Sequence, residues 1–421
     1  MGGWSATALV VASMVGTGVF TTSGFLLKDL GSPWLVLLAW LVGGGIAALG
    51  ALSYGALARR IPESGGEFVF LSRTIHPAAG FVAGWISLLV GFSAPLAAVA
   101  FGFGSYLAPW LPGVAPELTG TAALAAFAGI HAIGVRFGSR AQDWIVTIKI
   151  LLILGFIGGG LTRIETVAAT SLPTAGLGAF LMALVWVSFS YSGWNAAVYL
   201  GGEIRDPDRW LPRSLLIGTA ITTALYLGLN AVFVLGVPAS QLAGQLDVGR
   251  IAAEALGGPG LAKGITLTIL VALGTSLSAM IMAGPRVYAQ MAAQGYLPRP
   301  LAALAGPPRM AIAFQLILAA AMLWTTTYET LLTYIGFTLG LSTALTVAGL
   351  WRLRLREGPA LPVPGWPWVP ATFLLAVLAM TVAVIARRPI VAVWGGATVL
   401  LGWVLWWAGA QRPRRWRGAD Q

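Results

Sequence analysis

Two short stretches concentrate polar and flexible residues inside otherwise apolar sequence. The first is ASMVGTGVFTTSGF, Ala12 to Phe25, with Gly16, Thr17 and Gly18 at its middle and Thr21, Thr22 and Ser23 one turn on. The second is VWVSFSYSGWNAAVYLGGE, Val185 to Glu203, with Ser188, Ser190, Ser192, Gly193 and Asn195 in its middle. Glycine costs about 1 kcal/mol relative to alanine inside a helix, and hydroxyls do not help a helix enter lipid. Close packing through small residues is one explanation. The other is a helix opened on purpose, which frees N–H and C=O groups and is tolerable in a membrane only beside protein or a water-filled cavity. Freed amides and a half-helix N-terminus suit a carboxylate, while freed carbonyls suit an ammonium or a metal cation. A zwitterionic amino acid presents both groups on one carbon. Paired interruptions, each with hydroxyls and one with aromatics, favour a binding site over packing alone.

One charge also stands where few do. Lys149, in DWIVTIKILLILGFI, is the only charged residue within an apolar run. A charge at a helix centre costs about 2.5–3.5 kcal/mol on insertion scales and marks a functional residue by default. The alternative is snorkelling: Lys149 follows Asp143 by six residues, roughly 9 Å along a helix, within reach of an interface for a long side chain. His131 stands alone on an apolar stretch and reads as a packed residue. Glu203, Asp206, Asp208, Arg205, Arg209 and Arg213 follow the second interrupted stretch and read as a solvated ion-pair network bracing a loop, with an inner gate as the alternative.

The elements that must hold these groups are apolar helices. Of 421 residues, 57% are hydrophobic and 9% charged, and the mean hydropathy is +0.83, which defines an all-α polytopic membrane protein. Twelve spans are expected: 4–27, 34–58, 78–106, 119–137, 144–161, 177–201, 211–236, 262–292, 310–328, 330–351, 366–386 and 390–410. The ninth and tenth are the least separated, with only TYE around Glu329 between them. No cleavable signal peptide is evident, and the absence of cysteine excludes disulfides and thiolate metal sites. The net charge of +11 reflects orientation rather than nucleic-acid binding. With both termini cytoplasmic, eighteen Lys and Arg fall on the inner side, Arg136 and the tail residues Arg412, Arg414, Arg415 and Arg417 among them, against six on the outer side. That asymmetry obeys the positive-inside rule.

The interrupted spans are the first and the sixth, an offset of five. This is the pattern of two inverted five-helix repeats whose first helices are broken at the midplane. The expected organisation is a first repeat over 1–164, a second over 165–356, and peripheral helices with a basic tail over 357–421.

These motifs resemble the amino acid–polyamine–organocation superfamily, and within it the L-type and bacterial amino acid permeases. MVGTGVF is similar to the family's Gly-Ser-Gly-Ile/Val-Phe motif of helix 1, with Thr17 at the usual serine. FSYSGWNAAVYLGGEIRDPDRWLPRSL, Phe189 to Leu215, resembles helix 6 and its following loop. IPESGGEFVFLSR, Ile61 to Arg73, resembles the loop between helices 2 and 3, and GPRVYAQMAAQGYLP, Gly284 to Pro298, the end of helix 8. The resemblance implies a leucine-transporter-like fold with twelve transmembrane helices, ten in the core, helices 1 and 6 unwound, and secondary transport by alternating access. It places the substrate carboxylate on the backbone of Gly16, Thr17 and Gly18, and the amino group on carbonyls around Val15 and Phe189, Ser190 and Tyr191. Phe189 would be the outer lid, with Ser192, Trp194 and Asn195 lining or bracing the pocket. Many L-type members carry glycine at the place of Ser192, so a serine should narrow the pocket. Sodium-independent relatives carry a lysine at the place of Lys149, where its ammonium substitutes for a sodium ion. Here it would face the Gly16 region and Ser276 or Ser278.

The expected function is sodium-independent transport of small or medium neutral L-amino acids across the cell membrane, with no cofactor, metal or nucleic acid. A lysine that released its proton would couple transport to the pH gradient; one that kept it would leave exchange or facilitated diffusion. A polyamine or cationic amino acid carrier of the same superfamily is the nearer rival, yet the middles of helices 1, 3, 6, 8 and 10 carry no Asp or Glu for a dication. An enzyme is unsupported, because no span holds a nucleophile–base set or metal-ligand cluster. A channel would need a ring of pore-lining groups. A non-transporting sensor or scaffold is the remaining alternative, against which the two intact interruptions argue.

Overall fold

The computed structural model describes residues 2–133, 139–164, 176–293, 295–302 and 307–410. Arg136, the four tail arginines and the 165–175 connection, where the second repeat was expected to begin, lie outside the described residues. Among the described residues every regular element is helical. The order is α1 Gly3–Met14, α2 Gly18–Leu30, α3 Pro33–Arg60, α4 Glu67–Thr74, α5 Pro77–Ile86, α6 Ala94–Leu107, α7 Pro116–Ile133, α8 Ser139–Leu161 and α9 Leu177–Tyr191. Then follow α10 Pro207–Gly236, α11 Ala239–Leu242, α12 Val248–Ala293, α13 Arg309–Thr325, α14 Tyr328–Glu357, α15 Trp368–Arg387 and α16 Pro389–Ala410.

Eight of these helical stretches are long and apolar enough to cross a membrane, and nine if α1 and α2, bent by 43°, count as one span. Thr147–Leu161 and Arg309–Thr325 are shorter apolar helices. The division between the ninth and tenth expected spans falls on Thr326–Thr327, at the first residue of TYE. Thr327 is the N-cap of α14, its hydroxyl accepting from the Thr330 amide at 3.3 Å, so Glu329 lies in the first turn.

Packing separates core from rim. The Pro77–Trp110 stretch buries 67% of its most apolar window, while α15 and α16 bury 33% and 22%. Leu375, Trp394, Leu400 and Trp403 stand exposed on those last two helices, the surface that lipid would cover. The centre holds α1, α2, α3, α9 and α10, with Trp40, Tyr191 and Tyr226 fully buried between them.

Two irregularities have local causes. Between α5 and α6, Ser87–Ser93 is a π-helix; Pro95 lacks the N–H that an α-helix would direct at the Gly91 carbonyl. Within α12 the chain departs from helix at Gly257 and Gly258, and the φ of +72° at Gly258 requires glycine.

Candidate functional site

The first interruption is a tight backbone turn. α1 ends at Met14, and Val15 adopts φ −74° and ψ 80°. That is the inverse γ-turn geometry, and it is closed by the Gly16 amide donating to the Met14 carbonyl at 2.8 Å. α2 then restarts at Gly18. The amides of Thr17, Gly18 and Val19 make no hydrogen bond among the described residues, so a half-helix N-terminus offers unpaired donors at the break.

The second interruption falls slightly later than the glycine-and-serine pattern suggested. Ser190 and Tyr191 remain in α9, and the chain leaves the helix at Ser192. The Ser192 amide donates back to the Phe189 carbonyl at 2.9 Å. Gly193 has φ +99°, where only glycine is unstrained, and a short 3₁₀ segment, Ala196–Glu203, follows.

The two breaks are pressed together. A Cβ at Gly18 would lie 2.7 Å from the Ser190 Cα, and a Cβ at Gly193 would lie 2.8 Å from the Ser13 carbonyl oxygen. Both glycines therefore permit a reciprocal crossing, Gly18 against α9 and Gly193 against α1. Gly16 differs: its nearest neighbours would be the Met14 carbonyl and the Ser276 Oγ, both at 3.9 Å. Close packing and an opened helix are thus not rivals here; Gly18 and Gly193 serve the first and Gly16 the second.

The freed carbonyls are held by side chains from neighbouring helices. Lys149 of α8 is 6% exposed, and its Nζ donates to the Val15 carbonyl at 3.0 Å. Its side chain therefore turns inward to the break and does not snorkel. Tyr226 of α10 places its hydroxyl within hydrogen-bond reach of two carbonyls, Met14 before the first break and Ser190 (2.9 Å) before the second. One phenol proton serves one carbonyl at a time. Tyr226 lies in an ordinary helical run, and nothing in its local sequence distinguishes it from a core tyrosine.

The hydroxyls divide similarly. Thr21 donates to the Thr17 carbonyl at 2.9 Å and meets the Tyr328 hydroxyl at 2.6 Å. Thr22 meets the Ser190 Oγ at 3.1 Å, and Trp40 Nε1 donates to the Ser23 Oγ at 3.0 Å. On one side of the breaks Tyr328 stacks on Phe25 at 6.0 Å, with Phe101 at 5.7 Å, and Trp186 lies edge-on to Phe25 at 6.1 Å. These aromatics come from four separate stretches of chain, so no local motif announces them.

Other expected site residues turn elsewhere. The Tyr191 hydroxyl donates to the Trp40 carbonyl at 3.0 Å, and Trp194 packs edge-on against Tyr54 at 4.7 Å. Asn195 donates to the Glu67 carboxylate at 2.5 Å. Their side chains brace the second break from outside. Phe189 is buried and Ser192 half-buried at the break itself. Ser276 approaches Gly16, but Ser278 faces α7, its Oγ 2.8 Å from His131 Nε2. Among the described residues Asp206, Asp208, Arg205, Arg209 and Arg213 form no ion pair with one another. The pairs at this end are Arg60–Glu357 at 3.0 Å and Arg73–Glu63 at 3.1 Å, joining other elements. Among the described residues no cluster of His, Asp and Glu could hold a metal ion.

The sequence profile of the family described as Amino acid permease matches residues 1–408. The chain is 30% identical over 380 residues to the large neutral amino acids transporter small subunit 2 of Mus musculus, covering 86% of this chain and 71% of that one. It is 28% identical over 421 residues to the human Asc-type amino acid transporter 1, covering 94% and 80%. It is 28% identical over 382 residues to the serine/threonine exchanger SteT of Bacillus subtilis, covering 87% and 86%.

Proposed function

The chain belongs to the amino acid permease family as an integral membrane amino acid transporter and not an enzyme, and from that premise we propose that it carries small and medium neutral L-amino acids without sodium. The observation that carries this reading is the Lys149 ammonium on the Val15 carbonyl within the broken first helix. A fixed cation there satisfies a carbonyl that opening the helix has freed, which is the task a bound metal cation would otherwise perform. The unpaired amides of Thr17, Gly18 and Val19 are donors for a substrate carboxylate. The substrate ammonium takes the second lone pairs of the Phe189 and Ser190 carbonyls, whose first partners are the Ser192 amide and Tyr226.

Side-chain selection follows from charge. A cationic side chain would meet the like charge of Lys149, and an unpaired ion buried at such a site costs several kcal/mol. The names of the relatives, neutral amino acid transporters and a serine/threonine exchanger, support the same substrate class. The architecture we infer is twelve spans in two inverted five-helix repeats, with both termini cytoplasmic in the cell membrane. In support, eight helical stretches among the described residues, or nine with the bent pair, are long and apolar enough to cross a membrane.

Proteoliposomes holding the purified protein test this. Uptake of labelled alanine or serine should be equal in sodium and sodium-free buffer, and neutral amino acids should compete. A sodium requirement, or competition by arginine and putrescine alone, overturns the reading. Counter-flow with unlabelled substrate inside, measured with and without a pH gradient, separates exchange from proton coupling.

A further inference from the structure

A buried carboxylate outside the substrate site sits where it can control the inner half of the broken sixth helix. Glu67 opens α4, in the SGGE stretch after α3, and is 3% exposed. Its carboxylate accepts from Tyr54 of α3 at 3.0 Å, and from Asn195 and Tyr199, each at 2.5 Å. No cation pairs with it among the described residues. Tyr199 lies in the 3₁₀ segment beyond the second break and Asn195 caps that segment. Gly66 adds a close approach, since a Cβ there would lie 2.6 Å from the Tyr199 ring.

We propose that Glu67 is the positioning residue that docks the 3₁₀ segment Ala196–Glu203 onto α3 and α4, and that this docking is released whenever the path from the breaks to the inner face opens. The inference rests on the transport reading above. An ionised carboxylate in the interior persists only while donors satisfy it. Two of its three donors belong to the segment after Gly193, so any movement of that segment takes both away and leaves Tyr54 alone. Water entering the opened path then replaces the lost donors. Buried without a counter-charge, the carboxylate holds the segment only in the closed arrangement, where all three donors converge.

The chain's lack of cysteine provides the test. Ser13 lies on α1 against Gly193 and is half-buried, so a Ser13→Cys reporter reads access from the inner side. Inside-out membrane vesicles carrying this reporter are treated with a membrane-impermeant maleimide. Glu67→Gln should raise the labelling rate about tenfold, the scale of one hydrogen bond to an ionised group. Tyr199→Phe should raise it less, and the double variant should not exceed Glu67→Gln. Equal rates in all four proteins, with unchanged melting temperatures, overturn the proposal, as do fully additive effects. If Glu67→Gln does not fold, Tyr199→Phe and the conservative Glu67→Asp carry the measurement. Labelling needs no substrate, so its failure leaves the substrate assignment standing, and a failed uptake panel leaves this docking role standing.

Discussion

The Lys149 ammonium lies 3.0 Å from the Val15 carbonyl oxygen, joining α8 to the turn that breaks the first helix. Removing a buried charge that no carboxylate pairs with among the described residues relieves its desolvation cost, whereas losing a hydrogen bond to a charged group costs about 1.5–3 kcal/mol at the site that bond serves. Lys149→Met is therefore expected to keep or raise the melting temperature while lowering uptake at least tenfold. Parallel thermal unfolding and initial-rate uptake check this. A fall in both together would make Lys149 a structural residue.

Tyr226 extends the same logic to both breaks. Removal of its hydroxyl in Tyr226→Phe leaves the Met14 carbonyl with the Gly16 amide as donor, but the Ser190 carbonyl with none. An unsatisfied buried acceptor costs about 1–3 kcal/mol. The variant should therefore lower the melting temperature of the substrate-free protein, and its effect on uptake should be strongly non-additive with Lys149→Met if the two breaks act as one unit. Uptake kinetics for the four proteins of the cycle measure the coupling.

How much of this was legible beforehand depends on whether the signal was local. The breaks were legible, because glycine and hydroxyl residues interrupt an apolar run at Gly16–Gly18 and Ser190–Gly193, although the second opens only at Ser192, after Ser190 and Tyr191 have stayed helical. Lys149 was legible because a charge within such a run is conspicuous. Tyr226, Tyr328 and Glu67 were not. Each is a residue type common in cores or loops, and each acquires its role only when helices distant in sequence converge; Thr21 and Tyr328, for example, are 307 residues apart. The directions of Tyr191, Trp194 and Asn195 were also hidden. A helix end at Tyr191 followed by a turn at Gly193 sends successive side chains to different neighbours, which spacing alone does not reveal.

Ser192 bears on substrate size. It begins the second break, half-buried beside the Phe189 carbonyl that its own amide binds. Ser192→Gly removes side-chain volume at that point without removing the amide. Discrimination between apolar side chains is worth about 1–3 kcal/mol per methylene, so phenylalanine should become a measurable competitor while alanine uptake changes little. A competition panel on the variant and the parent protein decides it, and an unchanged preference would move the size filter elsewhere.

Glycine substitutions separate backbone geometry from ligand space. Gly193 combines φ +99° with the Ser13 carbonyl 2.8 Å from any Cβ, so Gly193→Ala must both strain the backbone and push α1 away. Strained φ values cost on the order of 1–3 kcal/mol before the clash is counted, so this variant should lose stability and transport together. Gly18→Ala meets the Ser190 backbone at 2.7 Å and should behave the same way. Gly16→Ala meets nothing nearer than 3.9 Å. Its stability should stay within about 0.5 kcal/mol of the parent's, the usual effect of a change away from tight packing. If the substrate carboxylate lies against this turn, the added methyl occupies ligand space that the protein itself leaves open, and the apparent affinity should still fall several-fold. Transport kinetics and thermal unfolding on the three variants therefore divide them two against one. Full transport by Gly16→Ala would place the carboxylate away from the first break, and a melting temperature as low as that of Gly193→Ala would show that Gly16 is needed for the fold.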